Sequence, residues 1–566
     1  MITIINRFRQ LLSPKDKWHL LGIVLLMTAA ALSEIAGIGL LMPVVALFTK
    51  PELMEQNTIL RLYARLVGNG SQLQLIIITC GLVSVICILK AALQLWVIRI
   101  QSNFSAAKER ELSMRLFIRY IHADYSTFLS EGHVEQLVML ERVRDICTRV
   151  LLPAMCAASD ILIMILLGAA LTVSMPKLML VMMLFLLLDG IAVYYPTRKL
   201  NHSVGKNYAE SIGCFLVNAG DSLRGIKEVK TANAQEYFIR KTGKARAVVA
   251  AFYAKMFTLG QVPRLTLETL VMIQILLIFV FMIWQGVPAG TILLSFSLLI
   301  AAMSRILPAF SRLNYNLTCI RQNAPSMDLV YDALNQEQEQ TIAAPGTPLT
   351  FRKSLVLENI TFRYRPDLPP VLKNFSMELQ PRSSTAFTGP TGSGKSTLVD
   401  ILLGLLKPES GEVQVDGVNI EENLSGWRDL CGYVPQFIFL FNASIRENVA
   451  LGVPPEKIDD ERVRTCLETA QVLDFVKTLD QEIYSPVGDN GIQLSGGQRQ
   501  RIGIARALYR DPEVLIMDEA TSALDNDTEQ ALVEALETLH GKLTIVMIAH
   551  RLSTVKHCDR VIELKN

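Results

Sequence analysis

Nine consecutive residues in the C-terminal part of the chain are of the types that hold the phosphates of a nucleotide. They are Gly389, Pro390, Thr391, Gly392, Ser393, Gly394, Lys395, Ser396 and Thr397. A short apolar stretch precedes them, and an apolar helical run, Leu398 to Leu406, follows them. Between a strand and a helix, glycines let backbone N–H groups wrap a phosphate chain. Lys395 would then supply charge to the β- and γ-phosphates, and the Ser396 hydroxyl would bind Mg²⁺. This setting makes a chance glycine-rich turn the weaker interpretation.

Two carboxylates follow a second apolar stretch. Residues Val514 to Met517 lead directly into Asp518 and Glu519. A buried strand would deliver Asp518 to the coordination shell of Mg²⁺. Glu519 would then orient or deprotonate the water that attacks the terminal phosphate. A strand that ends on solvated acids is the alternative, and the presence of the phosphate-binding loop argues against it.

A third motif opens a basic helix that runs from Arg499 to Leu508. Its residues are Leu494, Ser495, Gly496, Gly497 and Gln498. Small residues at a helix N-terminus form an anion site from backbone N–H groups and the helix dipole, although a capped helix start is the simpler alternative. The pentapeptide resembles the signature of the ATP-binding-cassette (ABC) family, and the resemblance covers residues 355–563. It implies an α/β P-loop nucleotide-binding domain that hydrolyses ATP with Mg²⁺. In this family the signature contacts the γ-phosphate of ATP held by the opposite cassette, which implies a dimer.

The same resemblance implies further site residues. Tyr364 resembles the aromatic residue that stacks on adenine. Gln436 resembles the loop glutamine that reaches Mg²⁺ and the membrane domain. Asp525 ends the Ser522–Asp525 stretch, which resembles the loop coupling the two sites, and His550 resembles the switch histidine on the γ-phosphate. The expected catalytic residues are therefore Glu519, His550 and Gln436.

The composition predicts a membrane protein. Hydrophobic residues make up 51% of the 566 residues and charged residues only 19%, and a span needs about 20 apolar residues. We predict spans near 20–48, 73–99, 151–174, 177–197, 256–285 and 288–311. The loops 100–150 and 198–255 are long, polar and helix-patterned. They are rich in Lys and Arg, which places them and both termini in the cytosol. The net charge of +2 and the absence of a basic stripe with interleaved aromatic residues predict no nucleic-acid partner.

The predicted architecture is an all-α six-helix transmembrane domain of exporter type (1–330), a linker (331–354) and a cassette (355–566). Segments 125–128 and 220–225 resemble the coupling helices of exporter-type transporters, although ordinary helix–turn segments are the alternative. Residues 51–67 form an amphipathic pattern on the outer side of the membrane. Throughout, "cassette" means residues 355–566.

Three cations fall in the interior of the predicted spans, away from the span ends. Counted at 1.5 Å per residue from the outer end, Lys90 and Arg305 lie at a depth of ~26 Å and Arg264 at ~30 Å. A homodimer would double them to a ring suited to phosphate or pyrophosphate. Snorkelling towards the inner interface, or pairing of Arg264 with Glu268, is the alternative.

Short motifs along the chain resemble the bacterial flippases of lipid-linked oligosaccharides that serve protein N-glycosylation. The motifs are Ser33-Glu34 with Met42-Pro43, Val262-Pro263-Arg264 with Leu267-Glu268, Arg305 to Pro308, the segment 51–67, and Val487-Gly488-Asp489. The resemblance implies cavity cations that bind the pyrophosphate of the lipid, and a location in the bacterial inner membrane. Lys90 departs from it, because arginine is expected there.

Two other functions remain open from the sequence. The first keeps the transporter but changes the cargo to a peptide, a phospholipid or a drug. The second is an ATP-gated channel or sensor subunit, in which the cassette only gates. The presence of both Glu519 and His550 favours ATP turnover over gating.

Overall fold

The computed structural model describes residues 2–39, 72–130, 132–174, 176–335, 349–488, 491–518, 534, 537–549 and 555–564. The chain divides into two compact units. The first, here the membrane unit, comprises Met1–Ile121 and Glu131–Glu339. The second, here the cassette unit, comprises His122–Ser130 and Gln340–Asn566. The short segment His122–Ser130 therefore belongs with the cassette, although membrane-unit sequence flanks it on both sides.

The part of the chain described before residue 336 is helical. Its helices are α1 Ile2–Leu11, α2 Pro14–Gly39, α3 Gln72–Ile121, α4 Tyr125–Ser130, α5 His133–Ile146, α6 Leu152–Ser174, α7 Pro176–Arg224, α8 Ile226–Thr231, α9 Gln235–Trp284, α10 Ala289–Gln322 and α11 Ala324–Asn335. A π-helical turn, Cys147–Leu151, joins α5 to α6. Six of these helices are long, namely α2, α3, α6, α7, α9 and α10, and each contains or overlaps one predicted span.

Four stretches of the described residues are long and apolar enough to cross a membrane. They are Pro14–Glu34, Cys80–Ile121, Val134–Ala169 and Gln235–Trp284. Several helices extend well beyond the predicted spans: α3 continues to Ile121, α7 continues to Arg224, and α9 begins at Gln235. The predicted loops 100–150 and 198–255 are therefore largely helical continuations, because a polar sequence with helical periodicity can remain helical outside the bilayer.

The predicted linker is partly helical. Helix α11 runs to Asn335, so the first five residues of the range 331–354 belong to a helix. Buried Phe8 and Leu11 of α1 pack with Met327 and Val330 of α11. The first strand of the cassette begins at Leu355. Residues 336–348 and the predicted outer segment 51–67 lie outside the described residues.

The cassette contains two sheets among its described residues. Its strands are β1 Leu355–Phe362, β2 Leu372–Leu379, β3 Ser384–Thr388, β4 Ser410–Val415, β5 Val418–Asn419, β6 Cys431–Val434, β7 Val514–Asp518, β8 Thr544–Ile548 and β9 Arg560–Glu563. An antiparallel sheet has the order β2-β1-β4-β5, and a parallel sheet has the order β6-β7-β8-β3-β9. Every residue of β7 and β8 is buried, as expected for strands covered on both faces.

The helices of the cassette complete this α/β fold. They are α12 Lys395–Leu402, α13 Leu424–Asp429, α14 Ile445–Val449, α15 Asp460–Thr469, α16 Leu473–Lys477 and α17 Gly496–Leu508. Trp427 of α13 is fully buried, and its indole N–H donates to the Leu402 carbonyl at 2.6 Å. Strands β3 and β7 are parallel members of one sheet, so their C-terminal ends meet at one edge. Ligands of open α/β sheets bind at that edge, and both the glycine-rich loop and Asp518 lie there.

Candidate functional site

The glycine-rich loop joins β3 to α12 with a backbone that only glycine adopts easily. Gly389, Gly392 and Gly394 have φ angles of 140°, 85° and 89°. A Cβ atom on Gly389 would lie 2.4 Å from the carbonyl oxygen of Leu564. Gly394 is the N-cap of α12. The loop therefore turns tightly, and the backbone N–H groups at the start of α12 can face an anion.

Lys395 lies over this loop. Its side chain is buried, and its Nζ donates to the carbonyls of Gly389 and Pro390 at 3.0 and 2.9 Å. An ammonium group carries three N–H donors, so these bonds use two of them. The Ser393 hydroxyl is also buried, with no hydrogen-bond partner among the described residues. A positive charge and a buried hydroxyl at a glycine-rich turn fit a phosphate chain, as the sequence predicts.

Tyr364 reaches the same loop from the antiparallel sheet. Its hydroxyl and that of Thr397 lie 3.0 Å apart, within hydrogen-bonding distance. Its ring packs edge-on against Phe362, with centroids 5.1 Å apart. The ring is about half exposed, so one face can accept a planar base. The structure thus brings together the expected adenine-stacking residue and the phosphate-binding loop.

Asp518 ends β7 and is buried. Asp400 of α12 is its acidic neighbour: burial and the charge of Asp518 raise the pKa of Asp400 to about 6. Two carboxylates at one sheet edge create a negative potential that a cation would relieve. Mg²⁺ usually takes one or two carboxylates and completes its shell with substrate phosphates and water. The oxygens of Asp518 and Ser396 therefore fit Mg²⁺ in the presence of a nucleotide.

The signature pentapeptide forms a capped helix start. Ser495 is the N-cap of α17, its Oγ accepts from the Gln498 N–H at 3.2 Å, and Gln498 Oε1 accepts from the Ser495 N–H at 2.8 Å. This reciprocal pair is a capping box. It leaves the N–H groups of Gly496 and Gly497 at the first helical positions, where an anion can bind. The capped start and the anion site are thus compatible.

The remaining expected residues are only partly described. Gln436 follows β6 and is exposed. Glu519, Asp525 and His550 lie outside the described residues, and so do the other residues of the Ser522–Asp525 stretch. Their assignment rests on the sequence alone.

Helix α4 brings a segment from between α3 and α5 into the cassette unit. Burial, followed by the charges of Asp400 and Tyr364, raises the pKa of Tyr125. Burial and then the charge of Asp518 raise the pKa of Tyr433, with smaller contributions from Asp400 and Tyr125. The segment 125–128, which resembles a coupling helix, therefore lies in the electrostatic neighbourhood of the sheet edge that carries Asp518.

Comparison with known proteins decides the family. The ABC transporter family model matches residues 372–522. The ATP-dependent lipid A-core flippase of Cupriavidus metallidurans is 30% identical over 464 residues, which cover 80% of this chain and 77% of the relative. The chain belongs to the ABC transporter family.

Two further comparisons give the breadth of this family. A multidrug resistance ABC transporter ATP-binding and permease protein of Lactococcus lactis is 31% identical over 65% of this chain and 62% of the relative. A solved bacterial Atm1-family ABC exporter with ATP bound matches with a TM-score of 0.76 over 97% of this chain and 93% of that chain, at 22% identity. The fold is thus that of an ABC exporter half-transporter. The cassette binds and hydrolyses ATP, and the hydrolysis is coupled to transport.

The membrane unit of this ABC transporter contains a polar cavity of about 520 Å³. Helices α2, α3, α6 and α10 form its walls, and Lys90 is among the residues that line it. Lys90 Nζ lies 2.6 Å from Glu34 Oε2, and both side chains are largely buried. The Gln94 amide also donates to Glu34 at 2.8 Å. The charge of Lys90 is thus compensated across two helices.

The other two expected cavity cations are placed differently. Arg264 Nε donates to Glu268 Oε1 at 2.9 Å, one helical turn along α9, and its side chain is 60% exposed. This is the i,i+4 pairing that the sequence left open as an alternative to the ring. Arg264 is not among the described residues that line the cavity. Arg305 lies in α10 between Ser304 and Pro308, which both line the cavity, but its side chain is outside the described part of the structure.

A second ion pair, which the sequence did not indicate, lies in this cavity. Arg312 Nη2 lies 2.8 Å from Asp160 Oδ1, and the carboxylate is buried. Gln101 also lines the cavity and is 2% exposed. Asp160 is a costly charge within the predicted span 151–174. Arg312 lies just beyond the predicted span 288–311, so the spans alone do not indicate this pair.

Proposed function

We propose that the chain is one half of a homodimeric flippase that moves an anionic lipid from the inner to the outer leaflet. The favoured cargo is a polyprenyl-pyrophosphate-linked oligosaccharide, and the site is the bacterial inner membrane with the cassette and both termini in the cytosol. The observation that carries the proposal is a polar cavity with a buried lysine inside a membrane unit that is fused to a complete phosphate-binding loop. The basic residues beyond the apolar parts of α3 and α7 support this orientation.

The proposed arrangement of the ATP sites places the helix start at Ser495 of one copy against the nucleotide of the other. Gly496 and Gly497 of one copy would contact the γ-phosphate of ATP held by the loop 389–397 of the second copy. The dimer would then close on ATP and part after hydrolysis. Mg²⁺, held by Ser396, Gln436 and Asp518, would offset the negative charge that develops on the phosphates. Glu519 would take the proton of the attacking water, and His550 would contact the γ-phosphate.

A lipid cargo is supported by the relatives, and an anionic head group is supported by the membrane charges. The Cupriavidus relative is named for moving lipid A-core, which is a lipid. Lys90, Arg264 and Arg305 are the proposed contacts for the pyrophosphate. Arg264 is largely exposed, so a lipid head group can reach its guanidinium. Lys90 would exchange the Glu34 carboxylate for a lipid phosphate oxygen.

Reconstitution in liposomes tests the cargo. Translocation of a pyrophosphate-linked oligosaccharide lipid and ATPase activity are measured for the wild type and for a variant with Arg264→Ala and Arg305→Ala. We expect translocation to stop while ATP hydrolysis without lipid continues. Arg240→Ala is the matched control, because Arg240 forms the same i,i+4 pair with Glu236, at 3.0 Å, on the same helix. Unchanged translocation in the double variant would show that Arg264 and Arg305 do not bind the pyrophosphate, and the proposed ring of cations would be wrong.

A second experiment separates turnover from gating. Glu519→Gln should stop hydrolysis and trap a dimer with ATP bound, detected by cross-linking or by its elution volume. Normal turnover in this variant would exclude Glu519 as the base. Ionic conductance without movement of lipid would favour a gated channel.

A drug exporter is the second candidate function. The Lactococcus relative, named as a multidrug resistance transporter, favours it. The same liposomes discriminate between the two, because a drug exporter would show ATPase stimulation by amphipathic drugs and no dependence on a lipid pyrophosphate.

A further inference from the structure

The cavity between α2, α3, α6 and α10 has the size of a small-molecule site. Its volume of about 520 Å³ falls within the range of about 300–1,000 Å³ that ligand pockets occupy. Three of its walls belong to stretches apolar enough to cross a membrane: Pro14–Glu34, Cys80–Ile121 and Val134–Ala169. Lys90 and Asp160 lie within the predicted spans 73–99 and 151–174, where polar groups are costly unless they are paired or bind something. Gln101 and Arg312 lie just beyond the predicted inner ends of two spans, at residues 99 and 311, so the polar lining suits a ligand that enters from the inner side.

The charged groups of the cavity balance each other. Lys90 pairs with Glu34 at 2.6 Å, and Arg312 pairs with Asp160 at 2.8 Å. These four side chains together carry no net charge in their ionised forms. A charged ligand portion would compete with one of these pairs, as proposed above for a lipid phosphate at Lys90, whereas an uncharged portion leaves both pairs in place. The cavity as a whole is thus better matched to a ligand portion without net charge.

The uncharged lining is rich in groups that both give and accept hydrogen bonds. Gln101 is the deepest of them: it is 2% exposed, and its Nε2 has no hydrogen-bond partner among the described residues. Its Oε1 accepts from the Cys156 thiol at 3.9 Å, which is a long contact. Ser159 and Asn316 add a hydroxyl and an amide, and Tyr315, about half exposed, adds an aromatic ring.

A lining with both donors and acceptors and an aromatic ring suits some classes of lipid head group better than others. A phosphate offers only acceptors, and a quaternary ammonium offers no hydrogen bonds. A sugar ring offers many hydroxyls, each a donor and an acceptor, together with apolar C–H faces that can lie against an aromatic ring. Ion-paired carboxylates can accept from such hydroxyls, and the N–H groups of Gln101 and Arg312 can donate to them. We propose that this cavity is a sugar subsite, which holds a neutral hydroxyl-rich ring of the cargo beside the pyrophosphate contacts. The inference rests on the proposed flippase function and specifies which part of the lipid enters the protein.

Binding measurements with three lipids test the subsite on the full chain in nanodiscs. The probes are a short-chain polyprenyl pyrophosphate, the same lipid carrying one glucose, and a monoglucosyl diacylglycerol. The variants are Gln101→Leu, which removes the amide at similar volume, and Ser159→Ala, a smaller change that guards against misfolding. Gln136→Leu is the matched control, since Gln136 is also buried with an unpartnered Nε2 among the described residues but is not among those that line the cavity.

We expect Gln101→Leu and Ser159→Ala to weaken binding of both glucose-bearing lipids by about 2- to 10-fold, the effect of one lost neutral hydrogen bond. Their affinity for the sugar-free lipid should stay that of the wild type, which also shows that the variants fold. Equal losses for all three lipids, no loss for any, or the same loss in Gln136→Leu would overturn the subsite. Failure of the flippase proposal is a separate outcome, in which the wild type binds neither pyrophosphate lipid. In that case, binding of monoglucosyl diacylglycerol that is weakened by Gln101→Leu would still support the sugar subsite.

Discussion

Tyr364 and Thr397 join the antiparallel sheet of the cassette to its phosphate-binding loop, because their hydroxyl oxygens lie 3.0 Å apart. Thr397 is buried in the first turn of α12, directly after Lys395 and Ser396. The aromatic ring proposed to carry adenine is therefore held by the loop proposed to carry the phosphates. The position of the base and the position of the phosphates are mechanically linked.

This hydrogen bond predicts a graded effect of substitutions at Tyr364. Tyr364→Phe keeps the ring, which Phe362 still supports from the side, and loses one hydrogen bond of about 0.5–1.5 kcal/mol. Tyr364→Ala also loses stacking, worth about 0.5–1.5 kcal/mol more. ATP affinity, measured by titration with a fluorescent ATP analogue, should fall in the order wild type, Phe, Ala. Equal losses in Phe and Ala would mean that the hydroxyl alone matters.

The turn at Gly389 predicts a sharper effect. In Gly389→Ala the new Cβ would lie 2.4 Å from the Leu564 carbonyl, at a φ of 140°, so either the loop or the end of β9 must move. Because the loop carbonyls also position Lys395 Nζ, we expect ATP binding and hydrolysis to be lost. ATPase activity and analogue binding are the measurements. Gly243→Ala is the control, since its Cβ would meet nothing within 4 Å, and wild-type activity in Gly389→Ala would contradict the geometry.

The capping box at α17 predicts that stability and catalysis can be separated at Ser495. Asn and Asp are both good N-caps, so Ser495→Asn and Ser495→Asp should keep α17 as stable as in the wild type. Asp adds a negative charge beside Gly496 and Gly497, where the γ-phosphate is proposed to bind. ATPase activity should therefore fall much further in Ser495→Asp than in Ser495→Asn. Ser495→Ala should lose about 1 kcal/mol of stability, seen in thermal unfolding. Equal activity in the Asp and Asn variants would exclude an anion site there.

The features that the sequence predicted correctly are those written in consecutive residues. The loop 389–397 shows its strand, glycines and helix within a short window, and hydropathy marks the apolar core of each long helix. Hydropathy indicates which residues lie in the bilayer. It does not indicate where a helix ends, so hydropathy alone could not predict that α3 continues to Ile121. Likewise, the close approach of Gly389 to Leu564 joins residues far apart in sequence, and no local pattern encodes it.

The membrane charges illustrate the same limit. The pairing of Arg264 with Glu268 was open from the sequence because four residues make one helical turn. The pairs Lys90–Glu34 and Arg312–Asp160 join different helices, and packing decides them. Depth counted along isolated spans placed Lys90, Arg264 and Arg305 at one level, but depth does not give the direction in which each helix faces. That direction separates Lys90, which lines the cavity, from Arg264, which is largely exposed.

Acid stability of the cassette can be predicted from Asp559. The Ser384 backbone N–H donates to its Oδ2 at 2.8 Å and the Ser384 hydroxyl at 2.9 Å. The backbone bond in particular, against the opposing effect of burial, holds the pKa of Asp559 below its ordinary value. A lowered folded-state pKa stabilises the fold above the unfolded pKa of about 3.9, and this stability is lost as the pH falls through the lower folded value.

The Asp559→Asn variant should therefore unfold at a lower urea concentration than the wild type at pH 7. The difference between the two unfolding midpoints, here called the gap, should shrink below about pH 4. Trp427, fully buried in the cassette, reports the transition by its fluorescence once Trp18, Trp96 and Trp284 are replaced by Phe. Asp474→Asn, an exposed carboxylate on α16, controls for the loss of one charge. A gap that stays constant down to pH 3 would show that the protonation of Asp559 is not coupled to folding. A gap that closes would show that the ionised Asp559 carboxylate stabilises the start of β3, the strand that leads into the phosphate-binding loop.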